Sequence, residues 1–175
     1  MSLVATKDLG ILSESHLCRN EKARHVHMLC LGRVLDMKTK THSIKVPIPA
    51  SITALCERAL KAAEEVTDVA ATRVYDQCIV NYYKENARLG LHDEKDARGA
   101  VISFSVGDVA DFVFKKTWSK KSKLHTVRLE SGDVFVFGGE ARSIVHGVER
   151  IHPGTTPRHL TLEQPGRINF NVRER

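Results

Sequence analysis

After about Tyr75 the hydrophobic period of the chain changes from three-to-four residues to two, and short alternating runs then recur to the end. These runs are Cys78–Tyr83, Arg88–His92, Val101–Val106, Asp111–Phe114, Leu124–Glu130, Val134–Phe137, Arg142–Val148, His159–Leu162 and Arg167–Arg173. Alternation sends successive side chains to opposite faces, so each run reads as a strand. Turn signals separate the runs, notably Glu85-Asn86, Ser131-Gly132-Asp133, Gly138-Gly139 and His152-Pro153-Gly154. Many short strands following a helical segment predict a mainly β chain with flanking helices (α+β), a two-sheet jelly roll.

The helical segment precedes the change. Pro47-Ile48-Pro49 fixes an extended entry, and Ser51 is the expected N-cap. Ile52, Leu55, Cys56, Ala59, Leu60, Ala63 and Val66 follow at helical spacing, with Glu57, Arg58, Lys61, Glu64 and Glu65 on the other face. The residues before Pro47 show little periodicity, and Asp36–His42 reads as a polar turn. The 175 residues are expected to form one domain, with 1–46 an amino-terminal segment and 47–175 the jelly roll. A domain of this size buries roughly 70% of the surface its unfolded chain exposes, so its core needs neither disulfides nor a structural metal.

No apolar stretch approaches the ~20 residues of a membrane helix, so no membrane association is expected. Met1-Ser2-Leu3-Val4 has no basic region ahead of a hydrophobic core, and so does not read as a signal peptide. The four cysteines include no C-x-x-C pair, and no N-x-S/T sequon occurs. A reducing, intracellular setting, cytoplasmic or nuclear, is the expectation. The net charge of +6 favours a polyanionic partner without identifying one.

The chemistry-bearing residues lie on the alternating faces. In the last run Arg167, Asn169, Asn171 and Arg173 share one face, and Ile168, Phe170 and Val172 the other. Two arginine forks and two carboxamides in a row suit a bound dicarboxylate, although a solvated face would alternate in the same way. Asn81 and Tyr83 form a second polar face. His92 and Glu94 share a face if the strand continues through them, with Asp93 turned away. With His146 they can form a two-histidine, one-carboxylate site that leaves metal positions open.

The series Asn81-Tyr82-Tyr83, Leu89-Gly90-Leu91-His92, Lys95-Asp96, Ser103–Gly107, Ser131–Val134, Gly138–Arg142, His146-Gly147 and Arg167–Arg173 is specific in this order. It resembles the AlkB-like Fe(II)/2-oxoglutarate dioxygenases, which oxidatively remove alkyl groups from nucleic-acid bases and, in some members, from other substrates. The resemblance runs from about Pro47 to Arg173. It implies a double-stranded β-helix that takes Fe(II), 2-oxoglutarate and O2 and acts on alkylated DNA or RNA; a monomer is the separate expectation. It further implies that His92 and His146 bind iron together with Glu94, and that Arg167, Asn169 and Tyr83 hold the far carboxylate of 2-oxoglutarate. Arg173 and Asn81 would reach the near carboxylate, and Asp96 would meet the exocyclic amine of a flipped base.

Two departures stand out. The family has His-x-Asp where position 94 is Glu, a side chain longer by ~1.5 Å. The amino-terminal segment, which in the family often brings aromatic residues onto the substrate base, has no Trp or Tyr before Tyr75. His25, His27 or Arg33 are its candidates for stacking. These departures define the rival expectations: an impaired nucleic-acid-binding module, or an oxygenase acting on protein or a small molecule. Lys115–Lys123 packs five lysines and the single tryptophan into nine residues, either as a solvated tip or as a phosphate-contacting arm in which Trp118 stacks on a base.

Overall fold

A computed structural model describes residues 23–35, 42–44, 46–69, 71–94 and 98–174. The strands are β1 (Ala23–Leu35), β2 (His42–Ile44), β3 (Gln77–His92), β4 (Arg98–Gly107) and β5 (Val109–Lys115), then β6 (His125–Leu129), β7 (Val134–Phe137), β8 (Val145–His152) and β9 (Arg167–Glu174). One helix, α1 (Ala50–Glu64), precedes β3. All strand pairings are antiparallel, in the order β6-β5-β8-β3-β9-β4-β7, with β1 joining β3 to β2.

β3 organises the molecule. Its first half pairs with β9 from Gln77↔Arg173 to Tyr83↔Arg167, and its second half pairs with β8 at Leu89↔Val148 and His92↔His146. One long strand therefore belongs to two layers, β6-β5-β8 and β9-β4-β7. Glu85-Asn86, expected to be a turn, is instead an irregularity inside this continuous strand, where Asn86 takes φ 64°. A second irregularity follows: three steps of β3 from Leu89 to His92 oppose two steps of β8. The additional β3 residue, at Gly90-Leu91, is a bulge.

Each layer has its own core. Tyr83, Ala87, Leu89, Phe112, Val148 and Ile151 pack with Met28 of β1 against one. Cys56 and Leu60 of α1 pack with Leu31, Cys78, Ile102 and Val172 against the other. Burying one leucine is worth roughly 1.5–3 kcal/mol, so Leu60 alone is a substantial anchor for the helix. α1 starts one residue before Ser51, with Pro49 at the N-cap, and it ends before Val66, which is 83% exposed. Both differ from the sequence expectation.

Other boundaries also move. Arg142 lies in a 3-10 turn, Gly139–Ser143, ahead of β8. His159–Leu162 forms no strand; Leu160 N–H donates to the Pro157 carbonyl at 2.9 Å in a turn. The Asp36–His42 turn lies outside the described residues except for His42, which opens β2. Cys56 and Cys78 are buried free thiols. Among the described residues no helix is long and apolar enough to cross a membrane.

Candidate active site

The two halves of β3 bring the separate polar faces of the sequence to one cavity of about 280 Å³. Asn81 and Tyr83 face it from the first half of β3, Arg167, Asn169 and Arg173 from β9, and His146 from β8. His92 and Glu94 complete the set, at and just beyond the end of β3.

His92 and His146 stand directly across the β3–β8 ladder, with ring centroids 4.4 Å apart. His92 Nδ1 lies 2.9 Å from the Gly90 carbonyl, and His146 Nδ1 lies 3.2 Å from the Ile144 carbonyl. A carbonyl only accepts, so Nδ1 carries the hydrogen in both rings and Nε2 is presented as a ligand atom. Burial first, and the neighbouring His92 second, push His146 down to about 4, which keeps its imidazole neutral. Gly147, between His146 and Val148, is required by close approach. A Cβ there would sit 2.5 Å from the Leu89 carbonyl oxygen and 3.1 Å from the Gly90 carbonyl carbon.

Glu94 lies two residues beyond His92, the last residue of β3. Its Oε1 is 3.9 Å from His92 Nε2, and its Oε2 pairs with Arg173 Nη1. Burial raises its pKa, but the positive charge of Arg173 outweighs this and holds the carboxyl below the usual range. Arg142 Nη2 donates to the Glu94 backbone carbonyl at 2.7 Å and fixes the chain there. One ligand atom each from His92, Glu94 and His146 lies within 4.8 Å of the others. That donor set fits a divalent iron, with the remaining positions open to the cavity. Asp93, expected to face away, instead lines the cavity rim and accepts from Trp118 Nε1 at 2.8 Å.

The other end of the cavity is cationic. Arg167 is 1% exposed, stacked 5.3 Å from the centroid of the Tyr83 ring, which it directly opposes across the ladder. Its Nη2 donates to Ser105 Oγ at 2.9 Å. Its Nε and Nη1 have no partner among the described residues, and neither does Asn81 Oδ1. A buried donor without a partner costs roughly 1–3 kcal/mol, and more when it is charged. Nature rarely tolerates this at a fork made for two oxygens unless an anion completes it. Burial lowers the Arg167 pKa, though a guanidinium keeps its charge in proteins, and pushes the Tyr83 phenol up to about 12, which keeps the phenol neutral. The donor arrangement fits the far carboxylate of a dicarboxylic acid.

Asn169 is used differently from expectation. Its Nδ2 donates to Ser103 Oγ at 2.7 Å and the Phe104 carbonyl at 3.0 Å, and its Oδ1 accepts from Asn81 Nδ2 at 3.3 Å. It therefore orients Asn81 as much as it lines the cavity. Gln77, 1% exposed, accepts from Arg173 Nε at 2.8 Å and donates to the Arg33 carbonyl at 3.0 Å. Ser103, Ser105, Gln77, Asp93 and Arg142 were not singled out as site residues from sequence. The i, i+2 spacing of Ser103 and Ser105 on β4 was the available signal for those two. Arg33 is not among the cavity-lining residues; it reaches Asp76 at 3.4 Å. Met28, an apolar residue, lines the cavity from β1 instead. Asp96 lies outside the described residues.

The sequence profile of the 2OG-Fe(II) oxygenase superfamily matches residues 7–173. The chain belongs to that superfamily. Within it, this 2OG-Fe(II) oxygenase is AlkB-like. It is 35% identical over 184 residues to the DNA N(6)-methyladenine demethylase ALKBH1C of Arabidopsis thaliana, covering 89% of this chain and 40% of that protein. It is 36% identical over 126 residues to the alpha-ketoglutarate-dependent dioxygenase AlkB of Escherichia coli K12, covering 70% of this chain and 55% of that one. The solved structure of OsALKBH1 superposes with a TM-score of 0.81 at 30% identity, covering 97% of this chain and 88% of that chain. The curled antiparallel sheet is the double-stranded β-helix of these oxygenases. The chain spans about two-fifths of the length of the first curated relatives, 40% and 39%.

Proposed function

We propose that this chain is a dioxygenase dependent on Fe(II) and 2-oxoglutarate that oxidatively removes N-alkyl groups from nucleic-acid bases. One observation carries most of the weight. A buried arginine with two unpaired donors, Arg167, shares a cavity with a His-Glu-His donor set. That combination fits a dicarboxylate tethered at one end and chelating a metal at the other.

In this reading His92 Nε2, His146 Nε2 and one oxygen of Glu94 ligate Fe(II). Arg167 takes the far carboxylate of 2-oxoglutarate with Tyr83 beside it, and Asn169 holds Asn81 towards the near end. Arg173 balances Glu94 and lies alongside the near carboxylate. Together, Fe(II), 2-oxoglutarate and O2 supply decarboxylation to succinate and CO2 and the hydroxylation of an N-alkyl carbon, which then leaves as aldehyde. The protein's own part is orientation and exclusion of water. Leu89, Phe112, Phe137 and Val148 give the cavity an apolar wall, with Phe112 and Phe137 against the His146 ring.

Nucleic acid as substrate is supported by the net charge of +6 and by the demethylase named among the relatives. A base must leave its stack for its alkyl group to reach ligands set inside a cavity.

The test is anaerobic titration with Fe(II) and 2-oxoglutarate, followed by succinate and aldehyde assays on N-methylated DNA and RNA oligonucleotides. A visible metal-to-cosubstrate band and succinate coupled to demethylation are expected. Absence of the band overturns the assignment of the metal and cosubstrate sites. A band with uncoupled succinate, and no demethylation of any oligonucleotide, directs the enzyme to protein or small-molecule substrates.

A further inference from the structure

The residues Lys115–Lys123 are not used by the site described above. They form the tip of the hairpin made by β5 and β6, which pair from Ala110↔Leu129 to Phe114↔His125. Lys116, Lys120, Lys121 and Lys123 are exposed. The tip has its own internal bonds: Thr117 N–H donates to Ser122 Oγ at 3.2 Å, and Lys121 N–H to Ser119 Oγ at 3.2 Å. These bonds order the backbone that carries the lysines.

Trp118 joins this tip to the active site. Its Nε1 donates to Asp93 Oδ2 at 2.8 Å, and Asp93 lies in sequence between two candidate metal ligands, His92 and Glu94. The Trp118 indole is nevertheless 49% exposed, and it is not among the residues that line the cavity. Lys115 Nζ lies 5.8 Å from its ring centroid. A large aromatic surface is thus pinned by its edge at the rim, outside the cavity and within a basic tip. A hairpin tip that was merely solvated would need neither the pin nor the aromatic.

We propose that Trp118 is a stacking platform for the unpaired base that flanks the one entering the cavity, with Lys116, Lys120, Lys121 and Lys123 along the phosphates of the same strand. The proposal rests on the nucleic-acid reading above and specifies its ligand as a single-stranded or locally opened segment. Stacking on an aromatic face is available to every base, so the platform holds the strand without selecting its sequence. Asp93 acts here as a positioning residue: its carboxylate fixes the indole relative to the metal ligands on either side of it.

Trp118 is the only tryptophan in the chain, so its fluorescence reports the platform directly. Titration with a single-stranded N-methylated oligonucleotide should quench that emission with the same Kd that labelled-strand anisotropy gives. Inorganic polyphosphate, which has the charge without the bases, should bind without quenching. Trp118→Ala should raise the Kd about tenfold, within the range expected for one stacked base, and Trp118→Phe should recover much of the loss. Replacing Lys120, Lys121 and Lys123 by Gln should flatten the dependence of log K on log salt by about 0.7 per lost contact on a single strand.

Binding seen by anisotropy without quenching, or an unchanged Kd in Trp118→Ala, overturns the platform and leaves the dealkylation reading intact. A protein that forms the visible band with Fe(II) and 2-oxoglutarate yet binds no oligonucleotide overturns the nucleic-acid reading and the platform with it.

Discussion

Glu94 is shared between Arg173 and His92: one carboxylate oxygen pairs with the guanidinium, and the other lies 3.9 Å from the imidazole Nε2. This span suits the longer side chain. Aspartate would withdraw the carboxylate by ~1.5 Å, against a tolerance of about 0.2 Å in metal–ligand distance. Glu94→Asp is therefore expected to weaken Fe(II) binding, and Glu94→Ala to abolish it, in anaerobic titration. Tighter Fe(II) binding by Glu94→Asp would contradict this and show that the backbone has kept the geometry of a shorter ligand.

Arg173 offsets the cost of burying Glu94. Arg173→Gln keeps a donor but removes the charge, so the carboxyl should rise towards protonation and lose strength as a ligand. Partners of metal ligands are typically worth 10–100-fold in affinity, and a loss in that range is expected. Equal Fe(II) affinity in the variant and the parent would limit Arg173 to the cosubstrate.

Arg167 should separate cosubstrate from metal. Arg167→Ala removes a charged fork and should weaken 2-oxoglutarate binding by roughly 1.5–3 kcal/mol, read by calorimetry, with Fe(II) binding nearly unchanged. An unaltered 2-oxoglutarate affinity would remove β9 from the cosubstrate site.

Gly147 bears on the same site through the backbone. Gly147→Ala puts a methyl group 2.5 Å from the Leu89 carbonyl oxygen, so β8 must move away from β3. Since His92 and His146 face each other across that ladder, Fe(II) affinity should fall along with thermal stability. Fe(II) affinity and melting temperature at parental values would show that the ladder opens there at little cost.

Stability should fall at high pH. Burial pushes the Cys78 thiol from 9.0, and the Tyr83 phenol from 10.0, up to about 12. Both protons stay on in the fold where the unfolded chain has lost them. Between about pH 9 and 12 the unfolded state binds fewer protons, so unfolding becomes easier as pH rises; below about pH 9 these two groups add no slope. Urea unfolding from about pH 8 to 11 checks this, and a midpoint that holds level across that range would contradict it.

The parts of the site legible in sequence were those fixed by alternation within one strand. Arg167, Asn169 and Arg173 on β9, and Asn81 and Tyr83 on β3, share faces because two residues separate neighbours on a face. What escaped notice depended on partners distant in sequence. β1 has no clear alternation of its own and is defined by its ladder along β3. His159–Leu162 alternates yet forms a turn region, and the preceding segment is tied to Asp108, whose Oδ1 accepts from Thr155 N–H at 3.0 Å and Thr156 N–H at 2.9 Å. The Trp118–Asp93 bond joins positions 25 apart and leaves no local signature.

The bulge at Gly90-Leu91 settles a question of parity. Along β3 the inward residues are odd-numbered, Asn81, Tyr83 and Leu89, whereas the metal-site residues His92 and Glu94 are even-numbered. The additional residue opposite β8 makes the switch, so the candidate cosubstrate anchors and candidate metal ligands look into the same space. At its present length but with a regular ladder in place of the bulge, the segment would set His92 three positions after Leu89 and turn the imidazole to the outer face. The irregularity in Leu-Gly-Leu-His, rather than the identity of any one side chain, thus decides whether the two halves of the candidate site meet.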